Sequence, residues 1–467
     1  MRLYHLRGGV WTRADGTALP LVTAEHADSL LDQWGVNVHS SYAIGAADGG
    51  VYAQRNHAAI LDLMSDLGVR IYRDVLRSST TSRGQRAFMA TASDRYGMRC
   101  SAVMGRRGPG PTYDAQDTSY RQDLAAYVMA NPGYFLQLEG YNEPNYVRGG
   151  RPADWAAQVV DHARWVWNLS ARVDRNEGVH LPTASASLHN VSSTRLRDYQ
   201  ELAARGWAGY CHRANIHCYP GPNRPSGLPG SNGDIAQRTR QAYTYGGFDP
   251  RTQPATNTES GYFTSASGTP GSGWVPNDVH AKYVRKHLLA WRHLDRQAAT
   301  PLGVLHQFYY ELLDDPDAAG TNREAGLGLV EVPNKRDPST WRVKPAYTRM
   351  QRFLAAMADP GPPFTPDELP LSVSADPAVQ WRLYGKRNGT YRLVLWKDDR
   401  NIWTESGGYA TVGTSPVTVQ TPHGTATVEV GADLVVHRIG TTTSLYLASD
   451  GAWSPLTVRS ARDGTWA

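Results

Sequence analysis

From Trp34 onward the apolar positions fall into two alternating rhythms. Short runs rich in β-branched and aromatic residues give way to stretches with apolar residues at helical spacing. A first strand is predicted over 36–39, then a helix over 56–67 with Ile60, Met64 and Leu67 on one face and Gly68 where a C-cap belongs. A second strand over 69–74 leads to a helix through Phe88, Met89, Ala92 and Tyr96 that closes on Gly97, and a third strand spans 98–104. This helix–Gly–strand phrase, given twice in succession, is the rhythm of consecutive βα units.

The pattern continues with a helix through 124–129 and a fourth strand over 134–140. Pro152 is expected to open the next helix at its first position, with Trp155, Val159, Ala163, Val166 and Leu169 along one face. Strands five, six and seven are predicted over 179–186, 213–218 and 254–259. A helix from Asp278 carries Val284, Leu288, Trp291 and Leu294; strand eight spans 301–310, and Lys344-Pro345 starts a last helix with Tyr347, Met350, Phe353 and Met357 on one side. Helical periodicity is weakest after strands five and six. Eight such units predict an α/β chain with a (β/α)8 TIM barrel over 34–358.

Asp359-Pro360-Gly361-Pro362-Pro363 is a breaker cluster. Beyond it the period becomes alternating: Trp381, Leu383, Tyr391, Leu393 and Leu395 flank the hairpin signal Asn388-Gly389, and further strands are predicted over 425–430 and 434–439. A smaller C-terminal all-β sandwich domain is therefore expected over 364–467, with residues 1–33 as an N-terminal segment able to lend it a strand.

Composition removes several classes of function. No run reaches the roughly 18 uninterrupted apolar residues of a membrane helix, so membrane insertion is not expected. The first seven residues lack the apolar core of a secretory signal. An extracellular or cell-surface setting is still expected, reached as a mature form with an added Met, by another export route, or as a phage virion or tail component. The net charge is +5, and only 6 of the 48 basic residues are lysine, the bias of a GC-rich genome. Arg106-Arg107 is the densest basic pair near a candidate site, and two residues do not make a nucleic-acid patch. Cys100, Cys211 and Cys218 lack metal-ligand spacing; Cys100 reads as a core residue, and a Cys211–Cys218 bridge is stereochemically open. With no His-x-His or Glu-x-x-His signature either, no metal or cofactor is predicted.

The chemistry lies at two strand tips. Glu143 ends the fourth predicted strand in Asn142-Glu143-Pro144-Asn145, and Glu259 ends the seventh in Thr258-Glu259-Ser260-Gly261. In a parallel barrel those tips converge on one face. Two carboxylates there are what glycoside hydrolysis needs, one protonated to donate to the leaving oxygen and one ionised to attack or to activate water. Arg73 and Tyr219 are candidate donors that would keep Glu259 ionised, although Arg73 could equally be a buried partner of Asp74 or Glu139. His217 and Tyr219, two apart, should point the same way, and His39 ends strand one. Sugar rings stack on aromatics, which makes Tyr262, Phe263 and Trp274 after strand seven, and Tyr309 and Tyr310 at the end of strand eight, candidate substrate-binding residues. Glu311, Asp314 and Asp315 read as a solvated acidic loop rather than a cation site.

Together with His217-Cys218-Tyr219-Pro220, the two glutamate motifs resemble the clan A (β/α)8 retaining glycoside hydrolases, most closely the family 39 and family 5 type with an appended β-sandwich. The resemblance covers the barrel from strand one to strand eight. It implies Glu143 as acid/base, Glu259 as nucleophile, Asn142 as a hydrogen-bond partner of the sugar 2-hydroxyl, and His217 and Tyr219 close to the sugar. The chain departs from many clan relatives by carrying Phe308-Tyr309-Tyr310 where they place Trp on strand eight. The expected function is cleavage of a polysaccharide or glycoconjugate by double displacement, with carbohydrate as the partner. The alternative is a non-catalytic carbohydrate-recognition protein of a cell surface or phage tail on the same scaffold, which would have no need of paired carboxylates.

Overall fold

The computed structural model describes residues 4–7, 10–13, 18–43, 50–78, 83–105, 117–146, 152–189, 196–265, 273–297, 302–315, 323–422, 424–440, 446–448 and 454–455. Arg106 and Arg107 lie outside them.

Eight parallel strands form one sheet: β1 (Trp34–Asn37), β2 (Ile71–Leu76), β3 (Arg99–Met104), β4 (Phe135–Glu139), β5 (Thr183–Ala184), β6 (Ala214–His217), β7 (Ala255–Ser260) and β8 (Val304–Tyr309). Their order runs β6-β7-β8-β1-β2-β3-β4-β5, and a parallel bridge between Ala184 and Arg213 closes the ring. Helices follow the strands: α1 (His57–Leu67), α2 (Arg83–Tyr96), α3 (Thr118–Ala130), α4 (Trp155–Glu177), α5 (Leu196–Ala204), α6 (Ile235–Gly246), α7 (Asn277–Gln297) and α8 (Pro345–Met357). The chain is a (β/α)8 barrel followed by antiparallel sheets.

Local chemistry accounts for most element ends. Gly68 and Gly97 stop α1 and α2 at φ values of 85° and 66°, which side chains with a Cβ rarely adopt. Asp117 and Asp234 cap α3 and α6 by accepting from backbone N–H groups of the first turn. Pro152 does not open α4; it precedes it by a turn, its carbonyl accepting from Trp155 N at 3.1 Å. Strand β5 is two residues long where eight were expected, because the chain around it bonds irregularly to its neighbours. β4 and β7 are buried at every position, as strands of a sheet covered on both sides must be.

Most of the described C-terminal strands form two sheets. A three-stranded sheet contains Ser372–Ser374, Ser415–Thr421 and Gly424–Val430; a larger one contains Val379–Gly385, Tyr391–Lys397, Val435–Ile439, Tyr446–Ala448 and Ser454–Pro455. Leu383, Leu393, Leu395 and Ile439 of the larger sheet share one apolar layer with Val417, Val419, Val428 and Val430 of the smaller. The N-terminal segment joins this assembly: Leu21–Val22 pairs with Leu369–Pro370, and Glu25–His26 adds a parallel strand beside Tyr384 and Gly385.

Strict alternation was expected along these strands, yet Tyr391–Lys397 is buried at every position after Tyr391. The larger sheet is covered on its second face too, where Tyr384, Val394, Trp396 and Val436 pack into the barrel core. Polar groups caught in that seam are matched. Lys286 Nζ on α7 donates to the carbonyls of Lys397 (2.9 Å) and Ala432 (2.6 Å), and burial pushes its ammonium down to about 8. Arg382, with a side chain 1% exposed, bridges Glu25 and Asp295 and also donates to the carbonyl of Arg292. Breaking a buried ion pair from one side costs about 3–5 kcal/mol. Glu25 and Asp295 keep 26% and 37% side-chain exposure, so Arg382→Met is expected to cost less. A loss of about 2–3 kcal/mol in urea unfolding is the expected result.

Candidate active site

The candidate site is built on the C-terminal tips of β2, β4, β6 and β7. Beyond β4, Gly140 lets the chain pass close to its neighbour, since a Cβ there would lie 2.6 Å from Ala186 N. Asn142 then bridges to Ser187, and Glu143 follows with φ 47°, a left-handed conformation unusual for glutamate. Such backbones cost about 1–3 kcal/mol and persist only where surroundings impose them. Here Glu143 N donates to Ser187 O at 3.0 Å, and Glu143 O accepts from Tyr146 N at 3.0 Å.

Arg73 is the hub. Its side chain is 4% exposed and spends its fork on four acceptors: Nε on Glu139 Oε2 (2.9 Å), Nη1 on Glu259 Oε1 (2.7 Å) and Asn37 Oδ1 (3.0 Å), and Nη2 on Asn142 Oδ1 (2.7 Å). Burial alone would favour a neutral guanidine, but Glu139 and Glu259 outweigh it and hold the charge firmly. Of the partners expected for Arg73, Glu139 and Glu259 are both present. Asp74 instead accepts from Ser40 and from Val75 N.

The two glutamates sit in different surroundings. Burial would raise the Glu259 carboxyl, but the Arg73 guanidinium and the Tyr219 hydroxyl, which donates to Oε2 at 3.0 Å, hold it below the usual range. Burial and the nearby Glu259 and Glu143 in turn keep Tyr219 protonated far above its ordinary value. Glu143 is more open, its side chain 18% exposed, with His217 Nδ1 2.9 Å from Oε1. That nitrogen also lies 3.4 Å from Glu259 Oε2.

Glu143, His217 and Glu259 each offer a donor atom within 4.8 Å of the other two, close enough to surround an ion. A dication would stand against the Arg73 guanidinium, already 2.7 Å from Glu259. The arrangement suits a shared proton better.

No protein-family model and no curated protein matches the chain in sequence. Solved structures match in shape. A β-glucosidase mutant derived from a hyperthermophilic tetrameric structure superposes with a TM-score of 0.50 at 12% identity, over 70% of this chain and 95% of that one. A β-glycosidase gives 0.46 at 14% identity, over 71% and 98%. β-Glucosidase 2 of the fungus Trichoderma reesei in complex with Tris gives 0.46 at 12% identity, over 68% and 96%. What this chain shares with the first of them is the barrel.

The structure thus brings together Glu143, Glu259, Asn142, Arg73, His217 and Tyr219. His39 lies beside them, its Nε2 3.2 Å from the Tyr310 hydroxyl and 3.3 Å from Glu311 Oε2. Four expected substrate-binding aromatics lie elsewhere. Tyr262 is wholly buried against Tyr283 and His287, with ring centroids 5.2 and 5.6 Å away. Tyr309 is equally buried, its hydroxyl accepting from Tyr262 N at 3.2 Å. Trp274 packs on Trp403 of the C-terminal region at 5.1 Å, and Phe263 is buried. Two of the three acidic residues after β8 are not solvated: Glu311 is 2% exposed beside His39, and the buried Asp314 receives Lys344 Nζ at 2.8 Å, while Asp315 is half-buried. The three cysteines are free and buried, so Cys211 and Cys218 form no bridge.

Two stability predictions follow from this charge balance. Arg73→Met leaves Glu139 and Glu259 without their cation and should cost about 3–5 kcal/mol in urea unfolding, with Arg73→Gln/Glu139→Gln recovering part of it. The second concerns His39 and Glu311. Burial disfavours the imidazolium of His39, but Glu311, Asp74 and Glu259 outweigh it and raise His39; burial raises Glu311 as well, with His39 opposing. A raised histidine stabilises fully below its unfolded value of about 6.5 and loses that contribution as pH climbs through the folded value. A raised carboxyl acts in the same direction, from a lower starting pH. As pH climbs above about 6.5 and through the raised folded value of His39, the wild type should therefore lose more stability than His39→Gln/Glu311→Gln, read as the difference between their urea midpoints.

Proposed function

We propose that this chain is a retaining glycoside hydrolase acting on a polysaccharide or glycoconjugate, with Glu143 as acid/base and Glu259 as nucleophile. One observation carries the reading: carboxylate oxygens of the two residues lie within 4.8 Å of each other. Retaining enzymes keep the two carboxyl groups about 5–5.5 Å apart, whereas inverting enzymes leave about 6.5–9.5 Å for a water.

The electrostatics divide the roles in the same sense. Glu259, held ionised by Arg73 and Tyr219, attacks the anomeric carbon while Glu143 gives its proton to the departing oxygen. The glycosidic bond breaks and a glycosyl ester forms on Glu259. Glu143, now ionised, takes a proton from water as the water oxygen attacks the anomeric carbon; the bond from that carbon to Glu259 breaks, Glu259 leaves as a carboxylate and the starting protonation returns. The Asn142 carbonyl is fixed by Arg73, which leaves its amide nitrogen to meet the sugar 2-hydroxyl. His39 and Tyr310 offer further polar contacts at the tips of β1 and β8.

On natural glycosides, Glu143→Gln should lower kcat by about 10²–10⁴, the share a general acid supplies. It should spare the first step on an aryl glycoside whose leaving group needs no proton. Equal loss on both substrates would count against a dedicated acid. Glu259→Ala with added azide should yield a glycosyl azide of inverted configuration. Unchanged turnover in that variant, or binding of glycans without cleavage by the wild type, would replace the hydrolase with a recognition protein.

A further inference from the structure

The hydrogen bonds behind His217 fix a hydrogen on its Nε2. Glu139 Oε2 already accepts from Arg73 Nε at 2.9 Å, so the Asn215 amide turned toward it, at 3.4 Å, must present Nδ2. Asn215 Oδ1 is thereby committed as an acceptor, and it takes the hydroxyl proton of Thr258 at 2.7 Å. A threonine has a single proton to give. Thr258 Oγ1 can then only accept from His217 Nε2, 3.0 Å away. The neutral imidazole must carry its hydrogen on Nε2 and turn a bare Nδ1 toward Glu143.

We infer that Thr258 and Asn215 are positioning residues that lock His217 in its Nε2–H tautomer, and that the exposed Nδ1 lone pair decides when Glu143 holds a proton. This rests on the hydrolase reading above. A lone pair 2.9 Å from Oε1 is complementary to a protonated Glu143 and repels an ionised one. Before cleavage it favours the form able to donate. After Glu143 has given its proton to the leaving group, the same lone pair makes its carboxylate readier to take one from water. The opposite tautomer, with N–H on Nδ1, would stabilise the carboxylate and blunt both steps. The charged and titratable groups around this pair are Glu259 at 3.4 Å from Nδ1, then Arg73 and Tyr219 acting through Glu259, with Glu139 at the far end of the chain.

Neither Thr258 nor Asn215 touches the carboxylate pair in any contact described above, so the effect is testable apart from binding. Long-range proton–nitrogen NMR on histidine-¹⁵N-labelled protein reports the tautomer directly, with His217 assigned from the signals lost in His217→Gln. The expected wild-type result is Nε2–H. Thr258→Val should lose that preference and lower kcat/KM roughly tenfold on a substrate with a poor leaving group, a fraction of what a general acid supplies. Aryl glycosides with good leaving groups should change little, and Thr258→Ser should restore both readouts. A wild-type His217 with its hydrogen on Nδ1, or doubly protonated at the pH of highest activity, would overturn the inference. So would a tautomer unmoved by Thr258→Val. If that variant does not fold, the wild-type spectrum and Asn215→Ala decide the matter. The NMR readout does not depend on turnover. A chain that cleaves no glycoside yet shows the Nε2–H form, lost in Thr258→Val, would sink the hydrolase reading and leave the tautomer lock intact; cleavage with the wrong tautomer would do the reverse.

Discussion

A guanidinium buried inside the barrel sets the terms for everything around it. A cation this far from water is tolerable only if acidic and polar groups replace its hydration. Arg73 draws in Glu139, Glu259, Asn37 and Asn142, from β1, β4, β7 and the segment past β4. The demand propagates inward. Glu139 also receives Ser101 at 2.5 Å; Ser101 receives Gln137 at 2.6 Å, and Gln137 receives Arg213 at 2.6 Å. The barrel interior is consequently a connected polar lattice rather than the apolar stack of branched side chains common to this architecture. It places two carboxylates a few ångströms apart in different surroundings.

That difference of surroundings is the physical core of the site. Similar groups acquire different tasks when their environments differ. Glu259 is approached by donors on both oxygens, whereas Glu143 meets a histidine nitrogen and keeps partial access to water. The left-handed backbone of Glu143 adds a second asymmetry. One carboxylate rises from within strand β7, and the other is presented by a turn that the fold must hold in place.

Much of this was legible in the sequence because periodicity and capping are local. The helix–Gly–strand phrase located β1 to β3, and the Asn-Glu-Pro and Thr-Glu-Ser motifs located both carboxylates. Four of the aromatic candidates pack away from the two glutamates, and periodicity alone does not show it. Strand tips in this barrel carry register shifts, between Ile216 and His217 and between Asn257 and Ser260, and each shift breaks the two-residue alternation. On β8, by contrast, ordinary alternation turns Tyr309 to the core while Tyr310, one residue on, reaches His39. Glu311 and Asp314 looked solvated because their partners, His39 and Lys344, are distant in sequence. The Thr258–Asn215 contact was hidden in the same way. The seam with the C-terminal sheets was also invisible: a strand covered on both faces loses the alternation that would mark it.

The pairing of Glu25–His26 with a strand near the other end of the barrel's own chain carries a consequence in time. Glu25 meets Arg382 across a separation of 357 residues. A ribosome adding roughly 5–20 residues per second needs roughly 20–70 s to cover that interval. For that period the N-terminal segment has left the ribosome while the edge it will pair with does not yet exist. Vectorial synthesis therefore gives βα units before it gives the seam, and the beginning of the chain is among the last parts to reach its final neighbours. A cell making this protein must keep that early stretch from pairing elsewhere until the last sheet emerges.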